Sequence, residues 1–103
     1  MMKKRTKRYL TFVIQGERAS GASWLAEAAV LAYEKSGVLV QLYDGGGLHA
    51  KQEQIARRIR IFFTHDLATA VVAVVPEEYI TDIIERLADL TLEVRVVKLS
   101  KLT

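Results

Sequence analysis

The sequence predicts a single α/β domain built on a four-stranded, mostly parallel sheet. Two observations lead to this class. Short runs rich in β-branched and aromatic residues alternate with longer stretches in which apolar residues recur at helical spacing. One of the short runs, residues 70–75, is apolar throughout, which is typical of a strand covered on both faces. This alternation favours a three-layer β-α-β-α-β-α-β arrangement with helices on both faces of the sheet.

The first half of the chain supplies two strands and one helix. Residues 9–14 predict the first strand and residues 38–43 the second, because both runs are rich in residues that favour strands. Residues 23–35 lie between them and are rich in Ala, Leu and Glu, which predicts a helix. We expect this helix to bury one face, which carries Leu25, Ala28, Ala29 and Ala32.

The second half supplies two more helices and two more strands. A helix is predicted from near Leu48 to Phe63, and residues 70–75 form the third strand. Pro76 suits the first position of the third helix. Residues 92–99 alternate apolar and charged side chains, which indicates an edge strand with one wetter face. With the most apolar strand inside, the predicted strand order is 2-1-3-4.

Length and composition exclude several functional classes. The chain has 103 residues, of which 50% are apolar and 26% charged, so residues 9–103 are expected to form one globular domain. Cysteine is absent, which excludes disulfides, thiolate metal sites and cysteine nucleophiles. The sequence contains no apolar run long enough to span a membrane and no signal-peptide pattern, so a cytoplasmic protein is expected.

The positive charge is concentrated at the N-terminus. Residues 1–8 hold five of the 15 basic residues and no acid, which leaves 10 bases against 12 acids and a charge of about −2 on the rest. A second basic group lies on the predicted second helix. The candidate nucleic-acid contacts are Lys3, Lys4, Arg5, Lys7 and Arg8 in the tail and Arg57, Arg58 and Arg60 on the helix. The alternative interpretation is a solubilising tail and a solvated helix face.

The segment after the first strand carries the clearest binding motif. It reads Gly-Glu-Arg-Ala-Ser-Gly-Ala-Ser over residues 16–23, between a predicted strand and a predicted helix. Glycines at such a turn let backbone N–H groups converge on an anion, and the start of a helix adds positive potential. Asp44 and the glycines of residues 45–47 end the second strand, and we expect them to face the same crevice at the carboxyl edge of the sheet.

This loop resembles the phosphate-binding loop of P-loop nucleotide hydrolases, whose pattern is G-x-x-x-x-G-K-[ST]. Gly16, Gly21 and Ser23 match the pattern, and Ala22 stands where the family has lysine. The resemblance extends to plasmid-partition-type ATPases over roughly residues 9–47, with Asp44 in the place of an aspartate that helps to hold magnesium. It implies a site for ATP and Mg²⁺.

Two departures from that family determine what the site is expected to do. The lysine that follows the first glycine in that family is Glu17 here, and the second lysine is Ala22. Both cations that contact the β- and γ-phosphates are therefore missing. We expect weak or lost nucleotide binding and no triphosphate hydrolysis.

Alternatives remain open at this stage. The loop is also compatible with an unrelated α/β turn, in which case the chain is a nucleic-acid-binding or oligomeric assembly module without a nucleotide site. The exposed fourth strand favours a homodimer. Trp24 is expected to join the core partly, to stack on a base, or to fill a subunit interface. His49 and His65 lie at opposite ends of the second helix, so no metal site is predicted.

Overall fold

The computed structural model describes residues 7–15, 22–44 and 50–98. Within these residues the chain forms four β-strands and three α-helices. The strands are β1 (Arg8–Ile14), β2 (Val40–Asp44), β3 (Ala70–Val75) and β4 (Leu92–Val97). The helices are α1 (Ala22–Lys35), α2 (Gln52–Thr64) and α3 (Ile80–Arg86), and a 3₁₀ helix (Glu77–Tyr79) leads into α3.

The four strands form one all-parallel sheet, which confirms the α/β class. Their order is β2-β3-β1-β4. The sequence placed the same two strands in the centre and the same two at the edges, but in the order 2-1-3-4, with the central pair exchanged. Burial patterns identify β1 and β3 as inner strands. They do not reveal which edge strand each one pairs with, because both inner strands are apolar on both faces.

The core consists of two clusters on opposite faces of this sheet. Successive side chains of a strand point to opposite faces. Leu10 and Phe12 of β1 belong to one cluster and Val13 to the other, and β3 divides its side chains in the same alternating way.

The larger cluster, here the α2–α3 cluster, lies on one face of the sheet. Besides the β1 and β3 side chains it contains most of the buried residues of α2 and α3. Its largest fully buried members are Leu10, Phe12, Ile55, Ile59, Phe63, Ile83 and Leu87.

The smaller cluster, here the α1 cluster, lies on the other face. Its buried members are Val13, Ala26, Val72 and Val74. Half-buried side chains of α1 surround them. Tyr33 of α1 bonds through its hydroxyl group to the hydroxyl of Thr11 at 2.9 Å, and Thr11 is 4% exposed. This pair satisfies the one buried polar residue of the described core.

The exposed face of α1 differs from the expected one. Leu25 and Ala29 face the sheet as predicted, but Ala28 and Ala32 are exposed, and the fully buried residue is Ala26. The reason is that apolar residues continue around this helix, so their spacing does not single out one face. The apolar side chains left outside include Trp24, which is 82% exposed and takes no part in the core.

Several element boundaries also move. β2 begins at Val40 rather than at residue 38, and α2 begins at Gln52, whereas Leu48 lies outside the described residues. Pro76 precedes the 3₁₀ helix instead of opening an α-helix directly. None of the helices in the described ranges is long and apolar enough to cross a membrane.

Candidate functional site

The candidate site lies at the carboxyl edge of the sheet, where the four parallel strands end. Ile14 ends β1, and α1 starts at Ala22 after a short connection. β1 and β3 are neighbours, yet the chain leaves β1 toward α1 on one face and leaves β3 toward α3 on the other. Such a reversal opens a crevice between the ends of two adjacent strands, where open α/β sheets bind ligands.

Asp44 lies at this edge and on the α1 side of the sheet. It is the last residue of β2 and pairs in register with Val74, which in turn pairs with Val13. Val13 and Val74 belong to the α1 cluster, and residues in register point to the same face. β3 separates Asp44 from β1, so two strand spacings, roughly 10 Å, lie between their backbones. The exposed Asp44 carboxylate and the start of α1 therefore share one edge and one face.

The remaining residues of the predicted phosphate site fall in two groups. Ala22 and Ser23 are the first two residues of α1, whose first turn carries no acidic side chain to oppose an anion. Gly16 and Gly21, the glycines of residues 45–47 and His49 lie outside the described residues. The structure thus brings the start of α1 and Asp44 to one edge.

A further charged pair at this edge did not emerge from the sequence. Lys98 follows β4, Glu77 follows β3, and β1 lies between these two strands. The Lys98 Nζ lies 3.5 Å from the Glu77 Oε1, and both side chains are largely exposed. Lys98 therefore supplies a cation beside the end of β1. No sequence motif marks it, because it comes from the opposite end of the chain.

The predicted nucleic-acid contacts that the structure describes lie in two places, at the start of β1 and on α2. Lys3, Lys4 and Arg5 lie outside the described residues; Lys7 is exposed, and Arg8 begins β1 at the amino edge of the sheet. Arg57 and Arg58 are exposed on α2, and Arg57 forms an ion pair with Glu53 at 3.6 Å. Exposed ion pairs of this kind contribute little to stability and do not prevent an external contact.

Arg60 has an internal role. Its guanidinium donates hydrogen bonds of 2.7 Å to both carboxylate oxygens of Asp89 and one of 2.9 Å to the carbonyl oxygen of Arg86. These hydrogen bonds lower the pKa of the Asp89 carboxyl group and raise the pKa of Arg60. Because they join α2 to the end of α3, Arg60 is committed to this contact in the described structure.

A cleft of about 720 Å³ lies at the amino edge, opposite the predicted site. The starts of β1, β3 and β4 line it, and its charged residues are Lys7, Arg8, Asp66, Asp89 and Glu93. Asp66 adopts a positive φ of 56°, which aspartate tolerates in turns. Sequence reasoning missed this cleft because its lining comes from three separate segments of the chain.

The described residues hold no group of three or more His, Cys, Asp or Glu side chains arranged to bind a metal. Oxygen ligands suit Mg²⁺, and Asp44 is the carboxylate that the sequence proposed for it. A single carboxylate is better suited to a magnesium ion that arrives with a phosphorylated ligand than to a permanently bound ion.

Comparison with known proteins yields no relative. No family model, no curated protein and no solved structure matches this chain. The case for function therefore depends on the fold and on the residues at the carboxyl edge.

Proposed function

We propose that the protein is a small α/β binding module that takes a phosphorylated ligand at the carboxyl edge of its sheet, weakly and without turnover. One observation carries the proposal. α1 follows β1 in the chain and starts at the carboxyl edge of the sheet, with its first turn free of acidic residues. The N–H groups of a helix start and its dipole favour a phosphate at such a place.

The side chains available there explain why binding is expected to be weak. Ala22 gives the start of α1 no charge, and Asp44 is an anion on the same face. One charge-assisted hydrogen bond to phosphate is worth about 1.5–3 kcal/mol, so its loss weakens binding roughly tenfold to a hundredfold. The same deficit in the transition state opposes phosphoryl transfer. The module would then act through partners rather than by chemistry.

Isothermal titration calorimetry of the full chain with ATP and Mg²⁺ tests this function. We expect a dissociation constant near the millimolar range, about 1 mM, for the natural sequence. Ala22→Lys adds a cation at the helix start and should tighten binding by about tenfold to a hundredfold. Ala32→Lys is the matched control, because it adds the same charge to an exposed position of the same helix, roughly 15 Å further along.

Two results would count against the proposal. One is an absence of binding heat for both the natural sequence and Ala22→Lys at millimolar ligand. The other is an equal gain from Ala22→Lys and Ala32→Lys, which would indicate non-specific attraction. Inorganic phosphate, titrated separately, shows whether the phosphate group alone is recognised.

A second candidate function, nucleic-acid binding, is favoured by the exposure of Lys7, Arg57 and Arg58. Its affinity would fall steeply with salt concentration, because counterions are released from the phosphates. Removing residues 1–6, which hold three of the basic residues, should weaken binding to a short DNA duplex several-fold. Unchanged binding after this truncation would reject a role for the N-terminal tail.

A further inference from the structure

The outward side of α1 presents an apolar stripe to solvent. Trp24, Ala28 and Leu31 follow the i, i+4, i+7 spacing, so they lie in one row along the helix. Trp24 is 82% exposed and Leu31 is 55% exposed. These three side chains point away from the α1 cluster, in which Ala26 is the buried residue. A single exposed leucine is ordinary, whereas a row that includes a tryptophan indicates a binding surface.

A shallow groove lies beside this stripe, between α1 and the edge strand β2. Its volume is about 280 Å³, and it is lined by Glu27, Val30, Leu31 and Leu42. Leu42, on β2, is 40% exposed and forms the far wall. Three of the four lining residues are apolar, and Glu27 is the one charged residue among them. The groove is thus suited to a large, flat apolar side chain that carries one hydrogen-bond donor.

We propose that this surface, the α1 face, binds a second copy of the chain, with the two α1 helices antiparallel about a twofold axis. Trp24 of each copy then inserts into the groove of the other. The projecting side chain and the receiving groove lie on one helix face, seven residues or roughly 10 Å apart from Trp24 to Leu31. A twofold axis between the two copies places Trp24 of each copy at the groove of the other, as a self-complementary interface requires.

The chemistry of the α1 face favours this occupant. The indole N–H is a donor with no acceptor function, and the carboxylate of the partner's Glu27 is available as its acceptor. Ala28 lies between Trp24 and Leu31, and its small side chain allows two helices to approach closely. No like-charged pair lies in the stripe itself, because its three residues are uncharged.

The available area is sufficient for a weak dimer. Trp24, Leu31, Leu42 and the small residues beside them expose roughly 500 Å² per copy, judged from the area that aromatic and aliphatic side chains bury. Two copies would bury about 1,000 Å² in total, near the lower limit for specific interfaces. We therefore expect a reversible dimer with a dissociation constant on the order of 10–100 μM.

Sedimentation velocity and tryptophan fluorescence test the proposal together, in the absence of nucleotide. Trp24 is the single tryptophan of the chain, so its emission reports directly on the α1 face. As the concentration rises from about 5 to about 500 μM, the mass should approach that of a dimer while the emission shifts to shorter wavelength. Leu31→Glu should weaken dimerisation at least tenfold and abolish the shift.

Ile61→Glu is the matched control. Ile61 is an exposed apolar residue, 36% accessible, on α2 at the other face of the sheet. The same substitution there adds the same charge to a helix but should leave both mass and emission unchanged. Circular dichroism of both variants shows whether they retain the fold.

Three outcomes would overturn the proposal. A monomer with constant emission up to about 500 μM shows that the α1 face does not bind a second copy. A dimer that Leu31→Glu leaves intact places the interface elsewhere, for example at the β4 edge where Val96 is exposed. A monomer whose emission shifts only on addition of nucleotide assigns Trp24 to base stacking instead.

Discussion

The two faces of the sheet are built very differently. The α2–α3 cluster contains two buried phenylalanines and a set of buried leucines and isoleucines supplied by two helices and both inner strands. The α1 cluster has four buried residues, three valines and one alanine, and is completed by half-buried side chains and by the Thr11–Tyr33 hydrogen bond. Two helices thus cover one face, whereas a single helix covers the other.

Because of this difference, one side of the sheet supplies most of the stability and the other side carries the proposed binding surfaces. Hydrophobic stabilisation scales with the apolar area removed from water, so most of it comes from the α2–α3 cluster. α1 contributes less buried area but exposes Trp24 and Leu31 and begins at the carboxyl edge. A thinly packed helix can be adapted to ligands and partners at lower cost to the fold. The proposed phosphate site and the proposed dimer surface therefore both involve α1.

The largest expected effect comes from truncating the α2–α3 cluster. Phe63→Ala removes a fully buried ring and should lower the free energy of unfolding by about 3–5 kcal/mol. Val13→Ala in the α1 cluster should cost roughly 1.5–2.5 kcal/mol, because it removes two methyl groups rather than a phenyl ring. Urea unfolding followed by circular dichroism measures both. Equal losses of unfolding free energy would contradict the larger contribution assigned to the α2–α3 cluster.

The contact between α1 and the sheet can be tested by adding atoms rather than removing them. Ala26 is fully buried against Val13, Val72 and Val74, so Ala26→Leu should overpack the interface and cost about 1–3 kcal/mol. Ala32→Leu adds the same atoms at an exposed position of the same helix and should be nearly neutral. If Ala26→Leu were tolerated as well as Ala32→Leu, α1 would be seated differently on the sheet.

A somewhat smaller effect is expected for the polar contact between α1 and the sheet. Tyr33→Phe leaves the buried Thr11 hydroxyl without its partner and should cost about 1–2 kcal/mol. The double variant Thr11→Val, Tyr33→Phe removes both polar groups and should regain most of that loss. Thermal unfolding of Tyr33→Phe, Thr11→Val and the double variant measures the coupling between the two hydroxyl groups. Purely additive losses would show that the hydrogen bond contributes nothing of its own.

The sequence predicted the fold because the strongest signals are local. The unbroken apolar run of β3 and the helical spacing in α2 depend on neighbouring residues, and both elements were identified. The exchange of β1 and β3 in the strand order depends on long-range pairing, such as Leu10 with Val71. No local pattern reports such a pairing when both strands are inner strands of the sheet.

The candidate site was predictable only in part. Asp44 and the start of α1 were assigned to one edge, because parallel strands of a β-α-β unit end together. The Lys98–Glu77 pair and the amino-edge cleft were missed, since their residues are far apart in the sequence. The outward position of Ala28 and Ala32 was missed for another reason: apolar residues occur on every side of α1, so periodicity alone does not orient it.

The smallest expected effect concerns acid sensitivity at the α2–α3 contact. Hydrogen bonds from Arg60 lower the pKa of Asp89 in the folded state below its unfolded value. The ionised pair therefore stabilises the protein above the unfolded pKa of Asp89, and this contribution is lost as the pH falls through the folded pKa.

Asp89→Asn should be slightly less stable than the natural sequence at about pH 6, and the difference should shrink toward about pH 2. Glu85 is an exposed residue of α3, so Glu85→Gln controls for the loss of one negative charge. Urea midpoints at both pH values measure the effect, and a constant difference between Asp89→Asn and the natural sequence would show that the pair does not couple to folding.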